Sequence, residues 1–289
     1  MGQANVDGAM SWFEEVWMSE SVVTYELDGD VALVGLNRDE FRNAINEEIL
    51  ELLLEHALRA NEEARAAVLF SHGEEHFSAG LDLAWAMSRR GEAERERPRR
   101  RRSKWHEALD VVSRSEIPWV SALKGATVGG GLEFACATHV RVADTTTFFA
   151  LPEGQRGIFV GGGGSVNIQR HLGYARMADL MLTGRVLSAE EGERANLVQY
   201  VVPKGTSLEK ATELAHRMAT NAPLTNWAIV SALPRIGEWS HDDGLFMESL
   251  IGPSVRSEAS SERLTSFLQG NAAPLKEGTG GTVHPDFKG

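Results

Sequence analysis

A single cysteine, Cys136, in 289 residues rules out an internal disulfide framework. It sits in an apolar run, where a buried structural thiol is the simpler reading than a nucleophile. Long hydrophobic stretches are absent too, and no apolar run approaches the roughly 20 residues that a membrane span requires. The N-terminus carries Glu14, Glu15 and Glu20 and lacks the basic, apolar and small-residue order of a secretory signal. Cytoplasmic residence is the resulting expectation. Basic residues are too few for a general nucleic-acid binder, because the net charge is −12. The charge is uneven, however. Residues 89–104 hold nine basic and three acidic side chains. That segment has no hydrophobic periodicity and reads as a mobile, solvated loop, with attraction of an anionic ligand as the alternative.

What is present is an ordinary soluble composition, 42% hydrophobic and 24% charged, long enough for one large domain with an appendage. Residues 1–20 read as an extension containing Trp12 and Trp17. Val22 to Tyr25 and Val31 to Leu36 flank Asp28-Gly29-Asp30, a hairpin signal. Asn46 to Asn61 has helical periodicity, with Ile49, Leu50, Leu53, Leu54 and Ala57 on one face. Ala66 to Ser71 and Trp119 to Leu123 read as buried strands, with short strands at Val140 to Ala143 and Thr147 to Ala150. A short helix begins near Asp82 and another spans Lys104 to Ser113. This alternation predicts a βαβ-rich α/β core over residues 21–205. From Ala175 the chain turns mostly helical, broken by a strand at Val198 to Val202. Ser188 and Glu191 fit a capping box. Residues 206–270 form a helical region, and 271–289 a Gly- and Pro-containing tail expected to be poorly ordered.

Several motif-like strings carry no chemistry. His72-Gly73-Glu74-Glu75-His76 matches the H-x-x-E-H string, but it contains glycine and lies in a loop, whereas that zinc site needs a helix. Gly161 to Gly164 lead into a helix without the spacing of a dinucleotide or P-loop motif. Neither metal nor organic cofactor is expected. Two loops are more informative. Ala126 to Ala137 contains Gly129-Gly130-Gly131 and then a helical run whose first turn holds Glu133, where the helix dipole favours a carboxylate. Taken alone, a tight glycine turn with an exposed glutamate is the plainer reading of this stretch. In His76 to Leu83 a small-residue turn leads to Asp82, a candidate helix cap, and can present the Leu81 N–H. With the Gly130 N–H it could form an oxyanion hole; a capped strand–helix turn is the plainer reading of that loop.

Taken together, four strings resemble the crotonase (enoyl-CoA hydratase/isomerase) superfamily between about residues 22 and 270. Asn37 to Asn46 resembles its N-R-P-x-x-x-N-A opening. Phe77 to Leu83 (F-S-A-G-L-D-L) and Gly129 to Glu133 (G-G-G-L-E) resemble its two oxyanion-hole loops. Leu182 to Val198 resembles its L-T-G signature. The resemblance implies a ββα spiral core, a C-terminal helical trimerisation region, an acyl-CoA thioester as substrate, and a homotrimer or dimer of trimers. It implies an oxyanion hole from the N–H groups of Leu81 and Gly130, with Ala79, Asp82, Gly129 and Gly157 lining the substrate site. Glu133 and Glu153, the latter in the dipeptide Pro152-Glu153, match the two glutamates of the hydratase branch. There, one orients and deprotonates water and the other delivers a proton to Cα. Adding water across a conjugated double bond requires both tasks.

Departures from the pattern fall on the acyl wall and at the C-terminus. Gly157-Ile158-Phe159-Val160 lacks the usual proline, and Ser165-Val166-Asn167 replaces T-Q-R. Gln269-Gly270-Asn271 replaces a basic cluster, so a CoA-phosphate contact there does not carry over. Trp85 and Trp105 could line an aromatic acyl pocket or simply pack. The expected reaction is hydration of a 2-enoyl-CoA to a 3-hydroxyacyl-CoA. Its rivals are enoyl-CoA isomerisation, hydroxycinnamoyl-CoA hydration with cleavage, and non-catalytic acyl-CoA binding.

Overall fold

The computed structural model describes residues 21–88 and 103–269. The N-terminal extension, most of the basic segment and the C-terminal tail lie outside the described residues. Strands β1 (Val23–Asp28) and β2 (Val31–Leu36) form the expected hairpin, with Asp28 paired to Val31. Helix α1 (Glu47–Glu63) starts where Asn46 accepts the Ile49 N–H at 3.0 Å, and Glu47 and Glu48 complement its dipole. The next elements are β3 (Ala66–Ser71), β4 (His76–Ser78), α2 (Leu83–Ser88), α3 (Lys104–Ser113), β5 (Trp119–Leu123) and β6 (Ala126–Val128). Then come α4 (Gly130–Ala137), β7 (Val140–Asp144), β8 (Phe148–Ala150), α5 (Glu153–Arg156) and α6 (Gly164–Thr183). The chain continues through β9 (Val186–Ser188), α7 (Ala189–Arg194), β10 (Tyr200–Val202), α8 (Ser207–Ala219), α9 (Pro223–Ile236), α10 (His241–Ser254) and α11 (Glu258–Leu268).

The large sheet runs β1-β2-β3-β5-β7-β10, parallel throughout except for the β1–β2 hairpin. Alternate residues of β3 feed two cores. Ala67 and Leu69 join Ile49, Leu53, Leu109 and Phe134 on one face, while Ala66, Val68 and Phe70 join Ala211, Leu214 and Ala215 of α8 on the other. Both faces are covered, which explains why β3 and β5 read as continuous apolar runs rather than alternating ones. The capping box at Ser188 and Glu191 is present. The helix expected after Gly161 to Gly164 and the one from Ala175 form one element, interrupted where Gly173 leaves helical geometry (φ 74°).

A second sheet, β4-β6-β8-β9, escaped the sequence reading except for β8. Its strands are three residues long, too short to show alternation. It nevertheless positions the site. β4, β6 and β8 are parallel, so all three end on one edge, at Ser78, Val128 and Ala150. The next residues are Ala79-Gly80-Leu81-Asp82, Gly129-Gly130 and Leu151-Pro152-Glu153. Three loops distant in sequence therefore leave the carboxyl ends of adjacent strands, where open α/β sheets bind ligands. Among the described residues, no helix is long and apolar enough to cross a membrane.

Candidate active site

Two of the three loops abut directly. A Cβ on Gly80 (φ 88°) would stand 2.6 Å from the Val128 carbonyl oxygen and 3.0 Å from the Gly130 nitrogen. Only glycine allows that approach. The Gly80 carbonyl accepts the Ile45 N–H at 2.8 Å, and the Asp82 N–H is given to the Ile45 carbonyl at 2.9 Å. Leu81 lies between these bonds, and its own N–H takes part in neither. The Gly130 N–H opens helix α4. Among the described residues neither N–H finds an acceptor.

The segment Asn37 to Asn46 braces this loop. Asn43 accepts the Arg38 N–H at 2.8 Å and donates to the Phe77 carbonyl at 3.1 Å. Its own carbonyl accepts the Ser78 hydroxyl at 2.7 Å, and the same hydroxyl accepts the Gly80 N–H at 3.1 Å. Ala79 donates its N–H to the Arg42 carbonyl at 2.9 Å. Arg38 closes the frame through a 2.8 Å ion pair to Asp82. The second Asp82 oxygen accepts the Trp85 N–H at 3.0 Å, as the capping expectation required. The Trp85 N–H and the Arg38 guanidinium together hold the Asp82 carboxyl below its ordinary pKa, the former contributing more. Asp82, assigned to substrate binding by resemblance, thus has one oxygen on Arg38 and the other on the α2 cap.

Glu133 and Glu153 are both buried, at 4% and 5% exposure. Glu133 lies in the first turn of α4, its N–H bonded to the Gly129 carbonyl at 3.0 Å. Its Oε1 accepts the N–H groups of Gly162 and Gly164, each at 2.8 Å. The four-glycine run, which matched no phosphate motif, folds over a carboxylate instead. A Cβ on Gly164 would stand 2.7 Å from that same oxygen. Burial raises the Glu133 pKa, and the glycine N–H bonds pull it back.

Glu153 opens α5, and its side chain turns inward rather than lying on the surface. Its Oε1 stands 3.0 Å from where a Cβ on Gly129 would lie. Gly129 holds φ 54° and ψ −120°, a conformation reserved for glycine. The buried Oε2 of Glu153 has no hydrogen-bond partner. Burial raises the Glu153 pKa, and the negative charge of Glu133 raises it further. Gly157 is exposed at the far end of α5, where its N–H turns back to the carbonyls of Glu153 and Gly154. Cys136, on the same helix as Glu133, is buried and its thiol is pushed up to about 11 by desolvation, so it fits the structural reading.

The sequence reading missed two features and left a third, the placement of Trp105, open. The glycine N–H donors to Glu133 were invisible because a backbone donor leaves no side-chain signature. The Arg38–Asp82 pair joins residues separated by 44 positions. Trp105, half-buried, packs edge-on to Phe134 with ring centroids 5.8 Å apart and lies against both Gly130 and Gly162.

Residues 26–263 match the Enoyl-CoA hydratase/isomerase family. Enoyl-CoA hydratase EchA19 of Mycobacterium tuberculosis is 29% identical over 236 residues, covering 80% of this chain and 86% of the relative. The fatty acid oxidation complex subunit alpha of Shewanella loihica is 34% identical over 205 residues; that match covers 68% of this chain but only 28% of the much longer relative. A solved structure of a candidate enoyl-CoA hydratase from Rhodopseudomonas palustris is 43% identical, covers 86% of this chain and 95% of its own, and superposes with a TM-score of 0.77. Two sheets with C-terminal helices, and a family match over most of the length, lead to one conclusion: the chain belongs to the enoyl-CoA hydratase/isomerase family of the crotonase superfamily and has the crotonase α/β fold.

Proposed function

We propose that this protein is an enoyl-CoA hydratase, adding water syn across a 2-enoyl-CoA to give a 3-hydroxyacyl-CoA. The observation that carries the reading is the pair of unlike buried carboxylates: Glu133, fed by backbone N–H donors of Gly162 and Gly164, and Glu153, beside Gly129, with an unpartnered oxygen. In this reading the free N–H groups of Leu81 and Gly130 receive the thioester oxygen and stabilise the charge that develops there. Glu133, whose glycine donors offset part of the cost that burial sets on its anion, takes a proton from water as the water oxygen bonds to Cβ. Glu153, favoured as the acid by burial and by Glu133, gives its proton to Cα. The net change is one H–O added across one C=C. Glu133 ends protonated and Glu153 ionised, and a proton exchanged through solvent resets the pair. The carboxyls titrate as a unit. No metal or organic cofactor has a part in the scheme; coenzyme A belongs to the substrate.

The deciding experiment incubates the purified protein with crotonyl-CoA, a longer 2-enoyl-CoA and a cinnamoyl-type CoA, and identifies products by mass. A gain of one water without cleavage is expected. A shifted double bond would make the protein an isomerase, release of an aldehyde a hydratase/lyase, and tight binding without turnover a non-catalytic acyl-CoA-binding protein.

The C-terminal helices support self-association. Phe246, Leu250, Phe267 and Leu268 are each at least half exposed there, an unusual concentration of large apolar side chains. We read this region as the contact surface of a homotrimer or dimer of trimers. Light scattering should return three or six times the 31.6 kDa chain mass; a monomer would refute that reading.

A further inference from the structure

We propose that Trp105 is the specificity-determining wall of the acyl site, restricting it to short, unbranched 2-enoyl groups. The inference rests on the hydratase reading for the position of the substrate, and on geometry for the wall itself. A Cβ on Gly130 would stand 2.6 Å from the indole Cη2 and 2.9 Å from Cζ3. A Cβ on Gly162 would stand 2.9 Å from Cε3 of the same ring. One indole therefore closes against two stretches of backbone, one carrying the free Gly130 N–H and the other donating to Glu133. No carbon of an acyl chain can enter between them. On the opposite side of the turn, Gly129 faces Glu153. The reacting carbons would lie between the indole and that carboxyl.

The ring is held in place. Phe134 packs against its edge, and the Leu109 side chain stands beside it at Gly162, 2.7 Å from a Cβ placed there. The start of α3 is fixed twice: Ser103 caps it, accepting the His106 N–H at 3.3 Å, and Lys104 pairs with Glu47 at 2.5 Å and with Glu51 of α1. These contacts fix the backbone that carries Trp105, while Phe134 and Leu109 flank the ring itself. The next residues along the chain, His106 after Trp105 and Gly163 after Gly162, line a cavity of about 590 Å³ together with Cys136, Asn167 and Leu233. That volume falls within the range of small-molecule pockets. Trp105 and Gly162 do not themselves line that cavity, so the room that truncation gives a longer acyl chain is the volume of the indole. A pocket that meets a methylene with a rigid wall discriminates by about 10–200-fold.

The test compares wild type, Trp105→Ala and Trp105→Phe on but-2-enoyl-, hex-2-enoyl-, dec-2-enoyl- and cinnamoyl-CoA. Calorimetric Kd values for butyryl- and decanoyl-CoA are measured in parallel. Wild type should prefer the four-carbon ester in both assays. Trp105→Ala should raise the ratio of kcat/KM for decenoyl over butenoyl substrate by at least about tenfold, with Trp105→Phe between. A parallel loss on all substrates, with ratios unchanged, overturns the wall. So does a wild type that takes decenoyl- or cinnamoyl-CoA as readily as butenoyl-CoA. If wild type hydrates none of them, the hydratase reading fails, and the binding preference for butyryl over decanoyl ester still decides the wall. Should Trp105→Ala not fold, Trp105→Phe and the wild-type profile decide it.

Discussion

Glu153→Gln is expected to cut hydration of crotonyl-CoA by about 10²–10⁴-fold, the usual worth of a positioned proton donor, without lowering the thermal midpoint. Activity and stability separate here because of the unpartnered Oε2. The folded-state pKa of Glu153 is raised above the ordinary 4.5, first by burial and then by the Glu133 charge. A raised carboxyl pKa means that ionisation costs stability. Below the ordinary pKa the group is neutral in folded and unfolded chains, and the two proteins differ little on this account. As pH rises through the raised folded value, the wild type must either bury an uncompensated charge or retain a proton that the unfolded chain has released. Glutamine escapes that cost. The midpoint of Glu153→Gln relative to wild type should therefore climb as pH rises above the ordinary carboxylate value, then level off once the raised folded value is passed. Circular-dichroism melts across that range, beside initial rates on crotonyl-CoA, give both readouts. A wild-type rate removes Glu153 from the mechanism; a midpoint that falls at neutral pH shows that its carboxyl has a partner after all.

Glu133 should behave differently when truncated. Glu133→Ala is expected to lose a similar factor in rate, about 10²–10⁴, and also to lose stability, on the order of 1–3 kcal/mol. The Gly162 and Gly164 N–H groups both point at Glu133 Oε1, and removing that acceptor leaves buried donors unmade. Glu133→Gln retains a carbonyl oxygen in their path, so it should recover most of the stability and none of the rate. Urea unfolding of the three proteins, with rates on crotonyl-CoA, measures this split. Equal stability of Glu133→Ala and wild type would mean that water reaches the glycine loop and satisfies it. Rate recovery in Glu133→Gln would exclude Glu133 as the base.

The two variants together test the asymmetry on which the reaction scheme depends. Both carboxyls are buried and raised, but Glu133 is held by several glycine N–H donors, whereas Glu153 has only its own backbone N–H and leaves Oε2 without a partner. Positions, rather than residue types, separate the two roles.

Much of this molecule was legible in its residues. The β1–β2 hairpin follows from Asp28-Gly29-Asp30. Helix α1 follows from an apolar stripe with Asn46 before it, and β3 and β5 from continuous apolar runs. All are local signals, because side-chain period and turn chemistry act over a few residues. The family strings were legible for a related reason: they pack small residues and polar braces where two backbones must nearly touch, as Gly80 does at Gly130. The pairing of Glu133 with Glu153 could be inferred only through resemblance.

Tertiary structure alone decided the rest. Three parallel strands of three residues each bring Leu81, Gly130 and Glu153 to one edge, and so short a strand leaves no periodic trace. Whether Glu133 was an exposed turn residue or a clamped carboxylate depended on Gly162 and Gly164, whose N–H groups every residue but proline possesses. Where the Trp105 ring packs depended on two missing Cβ atoms elsewhere in the chain, at Gly130 and Gly162. Sequence specifies which groups exist and what they do to their neighbours within a turn or two. Charge, burial and access at a site are set by groups dozens of residues away, and only the folded chain places them.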